Sequence, residues 1–275
     1  MYSIYHFFAD LHRKRHFFKS VAKLEDFPYD TELLSCSSSG KFPDMAIRVN
    51  PSANPTGGEL IELKDSKHFT VSSFSSTIPT GQKSIDSIVA GETNTIRQQM
   101  QQAGDDVFSV PTREVYYLIR GKKQENLKVC LVHGSFFETI RAEELIRQAF
   151  SQVLIERLSE TNQKLNADIQ DLLVQVFSKQ ESFSKVRDVA SASVKLRFRI
   201  MTEVKQEGNI LNSRRYPEIV NNTLNLLIPQ HSSSDIEIIN HHISSAFGQI
   251  ELTKSNQLTL KHPLNGQFYV LQFAI

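Results

Sequence analysis

Short segments with an apolar residue at every second position alternate along this chain with longer segments of helical apolar spacing. Helical spacing is present at about residues 2–24, 93–102, 140–158 and 165–177, and strand-like patterns lie at about 31–37, 43–49, 59–64, 115–119, 128–132 and 194–200. Interleaved strands and helices of this kind are typical of sheets that helices cover. The pattern therefore predicts the α/β class, with a mixed sheet flanked by helices.

The last quarter of the chain has a different order of elements. Pro217 suits a first helical turn and predicts a short helix to about Ile228. The capping-box pattern at 234–237 predicts a second helix that stops at Gly248. Strands are predicted at 250–253, 257–261 and 267–273. We therefore divide the chain into residues 1–205 and a C-terminal α+β extension at 206–275, which is either winged-helix-like or a plain extension of the first part.

The pattern from residue 43 to residue 64 predicts a hairpin with two chemically different faces. Two apolar-rich runs, 43–49 and 59–64, flank a turn rich in Asn, Pro and Gly. Because successive strand residues point to opposite sides, the aliphatic residues share one face. The other face then carries Asp44, Glu62 and Lys64. Two carboxylates beside an ammonium can hold a divalent cation and orient water against a phosphodiester.

A second acid-x-lysine motif competes with this hairpin. Glu203-Val204-Lys205 ends another strand-like segment, but no hairpin turn separates it from the upstream acid Asp188. Only the first motif places both acids in phase across a turn, so the first motif is the better candidate.

The hairpin resembles the PD-(D/E)XK nuclease superfamily, and within it the type II restriction endonucleases. The resemblance rests on Pro43-Asp44, then 17 residues, then Glu62-Leu63-Lys64. It covers residues 41–68 directly and extends loosely to about residue 135. It implies that Asp44 and Glu62 bind Mg²⁺, helped by a backbone carbonyl near Leu63, and that Lys64 positions or activates the attacking water. It also implies a further upstream acid, for which Glu25 and Glu32 are the candidates, and products with a 5′-phosphate and a 3′-hydroxyl.

Polar residues that follow the hairpin are candidates for DNA contact, because hydroxyls and ammonium groups bind phosphates and can reach base edges. The candidates are Lys67, Ser72, Ser73, Ser75, Ser76, Thr77 and Lys83. The alternative is a polar connecting loop. The basic positions Lys195, Arg197 and Arg199 are equally compatible with a DNA-facing strand and with a solvated one.

Composition narrows the function classes only moderately. A net charge of +1 excludes a uniformly basic nucleic-acid coat, so a DNA enzyme of this composition must concentrate its cations locally. Two cysteines exclude a disulfide framework, and no apolar run approaches the roughly 20 residues that span a membrane. We expect a cytoplasmic protein that binds no membrane.

The expected activity is Mg²⁺-dependent cleavage of double-stranded DNA at a short specific sequence, by a homodimer that matches a palindromic target. A structure-selective repair or recombination nuclease and a non-catalytic DNA-binding protein are the alternatives.

Overall fold

The structure is a computed structural model, and it describes residues 3–15, 34–37, 42–52, 56–75, 78–91, 94–138, 140, 142–178, 190–191, 194–195 and 201–275. Its helices are α1 (Ser3–Lys14), α2 (Ile85–Val89), α3 (Thr95–Gln102), α4 (Ala142–Glu160), α5 (Ala167–Ser178), α6 (Ser233–Ala246) and α7 (Gln249–Leu252). Its strands are β1 (Leu34–Ser37), β2 (Met45–Ile47), β3 (Leu60–Ser66), β4 (Ser73–Ser75), β5 (Gln82–Ser84), β6 (Thr112–Lys123), β7 (Asn126–His133), β8 (Ala190–Ser191), β9 (Val194–Lys195), β10 (Met201–Glu203), β11 (Thr223–Gln230), β12 (Ser255–His262) and β13 (Gly266–Ala274).

The chain divides into two compact units. The first comprises residues 1–72, 81–137 and 204–275, and the second comprises 73–80 and 138–203. The first unit holds a nine-stranded sheet in the order β1-β2-β3-β6-β7-β11-β13-β12, with β5 paired to β6. β3 pairs with β6 and β7 with β11 in parallel, whereas the remaining neighbours are antiparallel. The sheet is therefore mixed, and the predicted α/β class is confirmed.

One face of this sheet carries the main hydrophobic core. Helices α1 and α6 contribute their apolar stripes to it, and alternate positions of β2, β3, β6, β7, β11 and β13 contribute the rest. Met45, Ile47 and Ile61 are fully buried there, and Leu63 packs against the same cluster. The aliphatic face predicted for the hairpin is thus confirmed, and it fixes which side chains of β3 point the other way.

The residues 206–275 supply three strands to this sheet, and two predicted elements within them are wrong. The helix predicted from Pro217 is instead a turn followed by β11, whose first six residues are all buried between β7 and β13. The strand predicted at 250–253 is the one-turn helix α7. The helix predicted to stop at Gly248 is confirmed as α6, although its capping box is formed by Ser232 and Asp235.

The turn between β6 and β7 is short. β6 continues to Lys123, and Gln124 adopts a positive φ of 55° before β7 begins at Asn126. Arg120 and Lys122 therefore lie on a paired strand.

The second unit consists of the long helices α4 and α5, the pair β4–β10 and the pair β8–β9. Both long helices were predicted. Of the basic strand expected at 194–200, Lys195 lies in β9, and Arg197 and Arg199 lie outside the described residues. Among the described residues, no helix is both long and apolar enough to cross a bilayer.

Candidate active site

Strand β3 positions two of the predicted site residues. Glu62 and Lys64 share the face opposite the aliphatic core, because side chains alternate along the strand. The Glu62 side chain is buried, and Lys64, two residues closer to the end of the strand, is half-buried. An acid held in the protein interior and a lysine near the surface therefore follow one another along the same strand.

Asp44 reaches this face from the neighbouring strand. The last ladder pair between β2 and β3 joins Met45 to Ile61. Asp44 lies one residue before this pair. Its side-chain Oδ2, in place of a backbone carbonyl, accepts a hydrogen bond of 2.8 Å from the backbone amide of Leu63. This bond holds the carboxylate beside Glu62, since Leu63 directly follows Glu62. The structure thus brings together Asp44, Glu62 and Lys64, as the sequence predicted.

The two carboxyl groups are close enough to share a proton. Burial raises the pKa of Glu62 to about 8, and the charge of Asp44 adds to that shift. Burial also raises the pKa of Asp44, while the Leu63 amide, the Lys64 ammonium and a hydrogen bond from Glu62 lower it in part. Near neutral pH the pair therefore carries one negative charge, with the proton on Glu62.

One oxygen of this pair has no partner. Glu62 Oε2 is buried, and it receives no hydrogen bond from the residues that the structure describes. A buried carboxylate oxygen without a donor is costly, and a bound cation is one of the few reasons for a protein to keep one. The unpartnered Glu62 oxygen and the raised pKa of Glu62 both fit a site that binds a divalent cation.

The donor set suits Mg²⁺ better than a metal that needs a complete protein cage. Within the described ranges, no cluster of three or more His, Cys, Asp and Glu side chains could hold a metal ion. Mg²⁺ is commonly held by one or two carboxylates, with waters and substrate phosphate oxygens completing the shell. Asp44 and Glu62 satisfy that requirement.

Tyr117 is a site neighbour that the sequence analysis missed. It lies opposite Glu62 in the parallel register of β3 and β6, so both side chains share one face of the sheet. Its side chain is fully buried, and its ring packs edge-on against Phe137 at 5.2 Å between centroids. Tyr117 is therefore part of the buried strand next to Glu62. No local signal marks this residue, because it depends on which strand pairs with β3.

The competing motif has a different environment. Glu203 is exposed at the end of β10, where it pairs with Ser73, and Lys205 is exposed beyond the strand. The upstream acid Asp188 lies outside the described residues. Both charged groups of the motif are exposed, whereas burial raises the pKa of both Asp44 and Glu62. Perturbed buried acids are typical of functional sites, which favours the hairpin.

The predicted DNA-contacting residues are spread over several elements. Lys67 and Ser72 are exposed beyond β3, and Ser73 and Ser75 form the ends of β4. Lys83 lies in β5 with its Nζ 4.9 Å from the ring centre of Phe42, two residues before Asp44. Ser76 and Thr77 lie outside the described residues. Contact of these residues with DNA stays a prediction.

The additional acids Glu25 and Glu32 also lie outside the described residues. Two surface cavities of about 310 Å³ and 540 Å³ are lined by residues of 240–257 and of 144–156, respectively. Neither cavity includes Asp44, Glu62 or Lys64. The candidate site is defined by its carboxylates rather than by an enclosed pocket.

Comparison of the chain with protein-family models, with curated proteins and with solved structures gives no match. The class of the protein therefore rests on the mixed sheet and on the chemistry of the hairpin face.

Proposed function

We propose that this protein is a Mg²⁺-dependent endonuclease that hydrolyses phosphodiester bonds of double-stranded DNA at a short specific sequence. The observation that carries the proposal is the buried Asp44–Glu62 pair, in which burial raises the pKa of both acids and Glu62 Oε2 accepts no hydrogen bond from the described residues. Lys64 stands two residues further along the same strand and face. Acid, acid and lysine thus occur together in space, and not only in the sequence motif.

Asp44 and Glu62 would hold the metal through their carboxylate oxygens. When bound, Mg²⁺ lowers the pKa of a coordinated water and neutralises charge on the phosphoryl oxygens. Loading requires Glu62 to release the proton that it keeps near neutral pH, so metal affinity must increase with pH. Asp44 keeps its orientation during this change, because the Leu63 amide holds its other oxygen.

Lys64 would act on the phosphate and on the attacking water. Its charge already lowers the pKa of both carboxyl groups, so its ammonium lies within electrostatic reach of the pair. Its position near the surface end of β3 leaves it accessible to a DNA backbone. A cation fixed beside the scissile phosphate stabilises the charge that develops in the transition state.

A homodimer would place one such site on each strand of a palindromic target. Helix α5 offers a surface for association, since Ile169, Leu172 and Val176 are each about half exposed and lie on one helical face. Light scattering of the purified protein tests the stoichiometry.

Digestion of phage DNA with Mg²⁺, followed by sequencing of the ends, tests the proposed activity. Discrete fragments with a common end sequence, a 5′-phosphate and a 3′-hydroxyl are expected. Cleavage of branched substrates without discrete products from linear DNA would instead indicate a structure-selective nuclease. Mg²⁺-independent binding with no cleavage would indicate a non-catalytic DNA-binding protein.

A further inference from the structure

Three segments of the first unit concentrate the positive charge of the chain. Residues 64–68, 120–128 and 205–215 contain nine Lys and Arg side chains and three Asp and Glu side chains, a net charge of +6. The whole chain has a net charge of +1, so the remainder carries a net charge of −5. Such a local excess in a nearly neutral protein indicates a binding surface for a polyanion.

The fold brings the three segments to the same end of the sheet. Asp65 and Ser66 pair in parallel with Arg120 and Gly121, and Gly121 in turn pairs with Lys128 at the start of β7. The ends of β3 and β6 therefore meet the start of β7. Lys64 lies two residues before this end of β3, so the basic surface adjoins the candidate active site.

Hydrogen bonds to residues far away in the sequence fix the segment 205–215 to this end of the sheet. The side chain of Asn209 accepts from the amide of Val71 and donates to the carbonyl of Phe69, both at 3.2 Å. Lys128 is fully buried, and its Nζ donates to Ser213 Oγ at 2.8 Å. Arg214 follows directly and is exposed.

A glycine in β6 makes this close approach feasible. A Cβ atom at Gly121 would lie 2.6 Å from Leu211 and 2.8 Å from the ring of Phe69. Any larger residue would displace the Leu211 side chain or the Phe69 ring. A buried lysine, the two hydrogen bonds of Asn209 and the close packing over Gly121 thus hold the basic segment in one place.

Two of the three acids in the surface are already neutralised by arginines. Asp65 forms a two-pronged ion pair with Arg120 at 2.7 and 2.9 Å, and Glu207 lies 3.7 Å from Arg215. Five exposed cations make no ion pair with the residues that the structure describes: Lys67, Lys122, Lys123, Lys205 and Arg214. Their charge is available to a ligand.

We infer that this surface, defined by residues 64–68, 120–128 and 205–215, binds the sugar-phosphate backbone of duplex DNA next to the cut site. The inference rests on the proposed function, and it identifies the surface that binds the DNA backbone. Exposed Lys and Arg side chains on a rigid sheet end contact phosphates without reading bases, so the surface would set affinity and register rather than sequence preference.

The test is the binding of the full chain to a short labelled DNA duplex, measured by fluorescence anisotropy over a range of salt concentrations with Ca²⁺ in place of Mg²⁺. Arg214→Ala and Lys122→Ala should each weaken binding about five-fold at about 0.15 M salt, and should each reduce the slope of log K against log[salt] by about 0.9. The loss should be equal for unrelated duplex sequences. Lys254→Ala is the matched control, because Lys254 is an exposed lysine directly before β12, at the other end of that strand from His262, whose ring contacts Glu207. Its affinity should equal that of the wild type.

The two proposals fail in different ways. If both variants bind with wild-type affinity and salt slope while the wild type cleaves DNA, the basic surface is wrong and the nuclease stands. If both variants lose affinity but no DNA is cleaved, the surface stands and the nuclease is wrong. Equal losses in Lys254→Ala would mean that only total charge matters, which would also overturn the surface. Tighter binding of single-stranded DNA or RNA than of duplex, lost in the same variants, would overturn the assignment of duplex DNA.

Discussion

Glu62→Gln should make the metal-free protein more stable, and the gain should increase with pH. The amide has nearly the same shape as the carboxyl group but cannot ionise. In the wild type, burial beside Asp44 raises the pKa of Glu62 from 4.5 to about 8. The folded state therefore keeps a proton that the unfolded state releases, so stability contributed by this group is complete below about pH 4.5 and is lost as pH rises to about 8.

The pKa change sets the size of the effect. Each pKa unit is worth about 1.4 kcal/mol, so the change from 4.5 to about 8 corresponds to at most about 5 kcal/mol in the free energy of unfolding. The difference in stability between Glu62→Gln and the wild type should grow by up to that amount between about pH 5 and pH 8, and should level off at higher pH. Relaxation of the site at high pH would make the measured gain smaller.

Urea unfolding in the presence of a chelator measures this difference. Far-UV circular dichroism is a suitable probe, because the chain contains no Trp. Glu203→Gln is the control, since Glu203 is exposed and belongs to the competing motif, so its effect should not depend on pH. A Glu62→Gln variant whose stability relative to wild type is constant across this pH range would refute the buried, proton-sharing pair.

Four further expectations concern metal, chemistry and recognition. Above about pH 8, Mg²⁺ at 100 times its Kd should stabilise the wild type by about 2.7 kcal/mol and so raise its melting temperature. It should have little effect on Glu62→Gln, and differential scanning fluorimetry measures both. Lys64→Ala should leave the stabilisation by Mg²⁺ nearly intact but slow single-turnover cleavage by about 10²–10³-fold. Lys205→Ala should cleave at the wild-type rate when enzyme is saturating, and the reverse result would move the active site to the competing motif. Lys83→Ala should weaken binding to all duplexes and lower the salt slope by about 0.9, and unchanged anisotropy titrations would remove Lys83 from the interface. A serine of 72–76 that reads a base should, as alanine, lose about 1–3 kcal/mol of discrimination at one position in a cleavage selection, and wild-type selectivity of every variant would leave the segment as a connector.

The hairpin could be predicted from sequence because its information is local. Alternation, a turn rich in Gly and Pro, and the phase of Glu62 against Ile61 all lie within residues 43–64 and need no knowledge of the rest of the fold. The raised pKa of Glu62 could not be predicted in the same way. It depends first on burial and then on the charge of Asp44, and the burial follows from the pairing of β3 with β6, which residues 43–64 do not specify.

The errors in residues 206–275 have a physical origin as well. The first six residues of β11 are all buried, so Leu226, Leu227 and Ile228 follow one another without the alternation that marks a half-buried strand. Pro217 then suggested a helix start where the chain only turns. The attachment of 205–215 to the sheet was equally hidden, because Lys128 and Ser213 are 85 residues apart.

The central claim is that Asp44 and Glu62 together bind the metal that cleaves DNA, and single-turnover cleavage of duplex DNA by Asp44→Ala and Glu62→Ala tests it most directly. Both variants should bind duplex DNA in Ca²⁺ with wild-type affinity and should remain folded, as a single cooperative transition in urea would show. Both should lose Mg²⁺-dependent cleavage. Normal cleavage by Asp44→Ala would contradict the account outright, whatever the stability measurements showed.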